Sequence, residues 1–145
     1  MKDYFKTLVL LVTLGSRLYA AEPLSLVDTV WTGAASDAWS DLANWSKGLP
    51  SDKGVANTVI QSGYANRTPV VSTSGNNAVG QVYIMSGGGL VIKKDATLAT
   101  VGNFVTGNNG HAGMTDVTGG TLAVGGVLLI GHNGFEGSLK IDSGT

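Results

Sequence analysis

The chain contains no cysteine. Disulfide staples and thiolate metal sites are therefore excluded, and stability has to come from packing. Charge is also scarce, since Asp, Glu, Lys and Arg make up 13% of the 145 residues with a net charge of −1 and no basic patch. That excludes the positive footprint a nucleic-acid partner requires. No long apolar span is present either. The run at residues 8–14 falls well short of the roughly 20 residues that cross a bilayer, so no transmembrane segment is expected in the mature chain.

What is present is 43% hydrophobic residues, enough for an ordered core, and 22 glycines concentrated where the chain has to turn. Phe104 to Thr121 aligns without a gap to Leu128 to Thr145, a constant shift of 24. Identities fall at Gly107/Gly131, Asn109/Asn133, Gly110/Gly134, Gly113/Gly137, Gly120/Gly144 and Thr121/Thr145. Short alternating apolar runs at a period in the twenties, separated by Gly and Asn turns, predict an all-β chain wound as a β-solenoid.

The first residues read as an export signal. Lys2 and Lys6 flank Asp3, the apolar run follows, and Ala20 and Ala21 supply small residues before Glu22 and Pro23. The expected organisation is a signal peptide at 1–21, a Trp-rich N-terminal capping module at 22–62, and solenoid repeats at 63–145 that are incomplete at the C-terminus.

All three tryptophans, Trp31, Trp39 and Trp45, lie within fifteen positions of the capping module. Two roles compete for them. As a plug they would close the first coil, whose end would otherwise expose core and unpaired strand edges. As an exposed platform, Trp39 and Trp45 with Asp41 and Asn44 would bind a sugar ring by stacking and polar contact. A calcium site at Asp37, Asp41 and Asp52 is the weakest option, because their spacing lacks the dense register of a calcium loop. No cofactor or metal is expected.

In the repeats, Val82 and Ile84 alternate with Gln81 and Tyr83 as a half-buried strand does. The Gly-rich turn and Leu90, Val91 and Ile92 echo residues 118–124 at a shift of 32, from Gly88 to Gly120. Core candidates are Phe104, Val105, Val117, Leu122, Val124, Leu128, Leu129, Leu139 and Ile141, with Val117 stacked near Ile141 and Phe104 near Leu128. On that phase, Ile141→Asp should destabilise far more than Lys140→Asp. Asn109 and Asn133 are expected at matching corners. His111 and His132 are 21 apart and should not stack. Asp116 and Lys140, which are 24 apart, should face each other on the outer surface.

The pattern Trp31, Gly33, Trp39, Asn44, Trp45, Gly48, Pro50, followed by Gly-x-Asn-Gly and Gly-Ser-Leu-x-Ile-x-x-Gly-Thr units, resembles the secreted β-solenoid repeat proteins of bacteria. These include autotransporter passenger-like proteins and exported repeat proteins that carry a C-terminal sorting signal. The resemblance implies a right-handed parallel β-helix, a secreted or cell-surface destination, and more repeats than are present here. The resemblance does not single out an activity; with no catalytic residue standing out, the expected role is structural or adhesive, with polysaccharide or cell-surface components as partners. The alternatives are a polysaccharide lyase or hydrolase using Asp95, Asp116, Glu136 or Asp142 with Lys93, Lys94 or Lys140, and a carbohydrate-binding module centred on the tryptophans. The open last coil carries a further expectation of end-to-end self-association.

Overall fold

The computed structural model describes residues 28–51, 57–63, 65, 67–74, 76–108 and 111–145. The expected signal peptide, Asp52 and Asn109 lie outside them. Twelve strands build three parallel sheets. The first coil is β2 (Asn57–Gln61), β3 (Val70–Val71) and β4 (Asn76–Val79). The second is β5 (Gln81–Met85), β6 (Gly89–Lys93) and β7 (Thr97–Thr100). The third is β8 (Phe104–Thr106), β9 (Gly113–Thr118) and β10 (Thr121–Val124), and a fourth begins with β11 (Leu128–Ile130) and β12 (Gly137–Asp142). Above them lies β1 (Thr29–Val30), paired with β2. Every coil places one strand in each sheet, giving the orders β1-β2-β5-β8-β11, β3-β6-β9-β12 and β4-β7-β10. The chain is a β-solenoid of about three turns, as the repeat predicts.

Alternation within each strand decides what the coil encloses. The inward rows are Thr58, Val82, Phe104 and Leu128, then Ile60, Ile84, Thr106 and Ile130, on the first sheet. Val71, Ile92, Val117 and Ile141 form the matching row of the second. Leu98 stacks on Leu122 in the third. Stacking Phe104 on Leu128 and Val117 on Ile141 agrees with the repeat alignment. Leu90, Ile92, Phe104 and Val117 are fully buried.

Tight corners follow from the same stacking. Gly107 and Gly131 adopt φ of 79° and 72°, a left-handed conformation that costs glycine little. A Cβ on Gly107 would also run into the Glu136 carbonyl of the next coil. Asn133 takes the same hand of turn, with φ 57°, as expected of a corner asparagine.

Three expectations need correction. The echo at a shift of 32 does not reflect register, because Leu90 pairs with Thr115 in the second sheet while Leu122 pairs with Leu98 in the third. Both strands follow a Gly-Gly turn, and that shared turn produced the echo. The true partner of residues 121–124 (TLAV) is 97–100 (TLAT), again at a shift of 24. Second, β2 belongs to the stack and pairs with β5 along its whole length, so the solenoid begins before residue 63. Third, Leu128 and Ile141 have the expected phase but remain 42% and 52% exposed, because no described rung covers the far side of β11 and β12.

The destabilising position therefore moves one coil inward. Val117→Asp, which places a charge at a site with 0% exposure, should cost about 4 kcal/mol in urea unfolding. Ile141→Asp should cost less than about 1 kcal/mol, since its charge reaches water.

Candidate functional site

The four residues singled out from the sequence come together in the cap, where Trp39, Asn44 and Trp45 are buried and Asp41 is half-buried. Asn44 is fully buried at the end of a short 3-10 turn, Leu42–Asn44. Its Oδ1 accepts from the amides of Ala35 and Ser36, both at 2.9 Å, while its Nδ2 donates to Ser36 Oγ at 2.9 Å and to the Ala38 carbonyl at 3.0 Å. Asp41 caps the same turn. One carboxylate oxygen accepts from Ala43 N at 3.0 Å and the other from Ser36 Oγ at 2.9 Å. The loop is thereby fixed without regular secondary structure, every polar atom of the Asn44 side chain being satisfied.

That loop holds the tryptophans over the top of the core. Trp45 packs edge to face against Trp31 and Trp39, with centroids 5.0 and 4.8 Å apart. Trp45 Nε1 donates to the Trp39 carbonyl at 2.8 Å, and Trp31 Nε1 to the Arg67 carbonyl at 2.6 Å. The Arg67 guanidinium in turn donates to the Gly33 carbonyl at 2.8 Å. Trp39 and Trp45 are each 5% exposed, so the exposed stacking platform is absent. Covering the apolar rows of the first coil buries more ring surface than solvent exposure would allow. Asp41 is likewise committed to its turn, which removes it from the calcium option.

A different surface feature forms at the corner between the first and second sheets. Gly88, Gly113 and Gly137 occupy the same corner in successive coils, and a Cβ on each would collide with the carbonyl of Ile60, Ile84 or Thr106 in the coil before. Keeping side chains out of this corner leaves an open groove of about 400 Å³, walled by Met114, Glu136 and Ser138. A smaller pocket of about 120 Å³ continues it past Gly88 to Thr68 and Arg67. The repeat alignment already pairs Gly113 with Gly137. Gly88 escapes it because that coil is one residue longer, from Gly88 to Gly113.

The remaining charged candidates do not converge. Asp116 and Lys140 are register partners on the outer face of β9 and β12, yet no ion pair joins them among the described residues. His132 lies against Asn108, with Nδ1 to Oδ1 at 3.2 Å, while His111 sits in a separate bridge to the main chain of Asn108. The two histidines are not stacked, as their spacing of 21 predicts.

Removing the cap's central amide should be costly. Asn44→Ala leaves the Ala35 and Ser36 amides without their acceptor and empties a buried polar site, and should lower stability by about 2 kcal/mol, read as a lower midpoint in chemical denaturation followed by tryptophan fluorescence. Leu49→Ala, at a site 46% exposed, should change it by less than about 0.5 kcal/mol.

No known protein family, curated protein or solved structure matches the chain.

Proposed function

We infer that the protein is an exported structural or adhesive element of the cell surface or extracellular space, built to present repeated side-chain columns rather than a converged catalytic centre. The observation that carries this reading is the outward register of the second sheet. Gly89, Met114 and Ser138 form one column, Val91, Asp116 and Lys140 a second, and Lys93, Thr118 and Asp142 a third. The positions of each column recur at the spacing of one rung, about 4.8 Å, with a different residue type at each. Such a surface suits a repetitive partner, and the corner groove alongside it is open at its sides for an extended polymer. Polysaccharide or other cell-surface material is the partner class this favours. Export is supported by the charged, apolar and small-residue order of residues 1–21.

Two measurements test this reading. Mass spectrometry of the surface and extracellular fractions should find a mature N-terminus at Ala21 or Glu22, and a folded cytoplasmic protein retaining Met1 would overturn the localisation. In sedimentation with insoluble polysaccharides, Met114→Glu should reduce retention at least tenfold without changing the unfolding midpoint. Equal retention by both proteins would remove the groove from the reading.

A further inference from the structure

Most buried polar atoms of the described chain have partners, and the cap shows how thoroughly that is arranged. Four side-chain oxygens among the described residues are exceptions, Thr106 Oγ1 and Thr115 Oγ1 inside the stack and two more at the seam between cap and stack. Asp28 and Asn57 are 5% and 7% exposed, and among the described residues both keep an oxygen without a hydrogen-bond partner, Oδ2 of Asp28 and Oδ1 of Asn57. The two residues are neighbours. Thr29 is in register with Thr58, so one step back along both strands sets Asp28 opposite Asn57. Asn57 N donates to the other carboxylate oxygen, Asp28 Oδ1, at 3.3 Å. No ion pair to Asp28 forms among the described residues.

An ionised carboxylate and an amide oxygen are both acceptors. Buried together with no donor for either free oxygen among the described residues, they form an arrangement that a packed protein rarely tolerates. A bound cation resolves it. We propose that Asp28 Oδ2 and Asn57 Oδ1 are ligands of a calcium ion that fastens the N-terminal cap to the first coil. Asp28 and Asn57 stand on neighbouring rungs about 4.8 Å apart, close enough for both side chains to reach one ion at calcium–oxygen bond lengths of about 2.4 Å. The donors are all oxygen, which selects a hard cation over zinc or copper. Calcium, accepting irregular geometry, suits the site better than magnesium, which demands a near-ideal octahedron. With a single carboxylate the Kd falls at about 10⁻⁴ to 10⁻³ M, the range of extracellular calcium modules.

The site differs from the Asp37, Asp41 and Asp52 grouping, since it depends on pairing between rungs and not on spacing within a loop. Its consequence is a cap whose docking responds to calcium.

Calorimetric titration and thermal unfolding of the chelator-treated protein test the proposal, with calcium chloride as the probe. The expected result is one ion per chain and a Tm raised by about 5 °C at a tenfold excess of calcium over Kd. Magnesium should give a much smaller shift. Asp28→Asn should abolish binding while leaving the chelator-treated protein at least as stable as the wild type, because it removes an uncompensated charge. Asn57→Asp, which adds a second carboxylate, should tighten calcium binding at least tenfold. Absence of binding by the wild type overturns the proposal. So does a loss of stability in Asp28→Asn that is the same with and without calcium, or an Asn57→Asp protein that is destabilised and binds no ion, since Asn57 would then serve as an amide donor to Asp28.

Discussion

In a solenoid, the main chain of each rung can bond only to the rung before and the rung after. The parallel ladders of the three sheets therefore fix which residues lie above one another, and everything else has to conform to that register. The offset between paired positions is 24 from β8 to β11 and from β7 to β10, but 22 from Val82 to Phe104 and 25 from Leu90 to Thr115. The differences are absorbed in turns. Within strands the side chains have no such freedom, and Ile60, Ile84 and Thr106 stand in one row, as do Val71, Ile92 and Val117. The glycine column at Gly88, Gly113 and Gly137 is the price of bringing successive corners this close.

A stack of this kind leaves its first rung without a neighbour. The cap solves the problem with few regular hydrogen bonds: β1 supplies a short strand over β2, Ala38 bridges to Val70 in the second sheet, and Ser51 accepts from Gly80 N near the third. All three sheets thus receive some cover. Between these contacts the tryptophans fill the opening, and the loop that carries them is held by one buried amide, Asn44. Because β1 is so short, pairing with the stack only through Thr29 and Val30, the seam at Asp28 and Asn57 matters more than its size suggests.

Much of this architecture was legible in the sequence. The Gly and Asn turns recurring at a shift of 24, as from Gly107 to Gly131, identified the solenoid. The phase of Val82, Ile84, Phe104 and Val117 came directly from alternation. The error at a shift of 32 arose because two Gly-Gly turns outweighed the match between residues 97–100 and 121–124, although the latter is closer letter by letter. Exposure of Leu128 and Ile141 was not readable from alternation, which gives the side a residue faces but not whether a further rung lies on it. The tryptophans were ambiguous for a related reason: an aromatic residue near polar ones can face either way, and the hydrogen bonds of Asn44 and Asp41 decided it. Asp28 gave no signal at all. Its partner Asn57 lies far along the chain, at a separation set by the cap's irregular loop and not by any repeat.

Functionally, the register matters because it turns individual side chains into columns, and a column is what a repetitive ligand or neighbouring surface would meet. The absence of native cysteine makes that register directly measurable. Ala99 and Ala123 are partners in β7 and β10 and both point outward. Cysteines at these two positions should close an intramolecular disulfide on mild oxidation, since paired rungs hold Cα atoms within the range of roughly 4.4–6.8 Å that such a bond requires. Cysteines at Val91 and Ala123, the pair implied by the shift of 32, lie in different sheets and should remain free thiols. Efficient crosslinking of the second pair, or failure of the first under the same conditions, would contradict the solenoid described above.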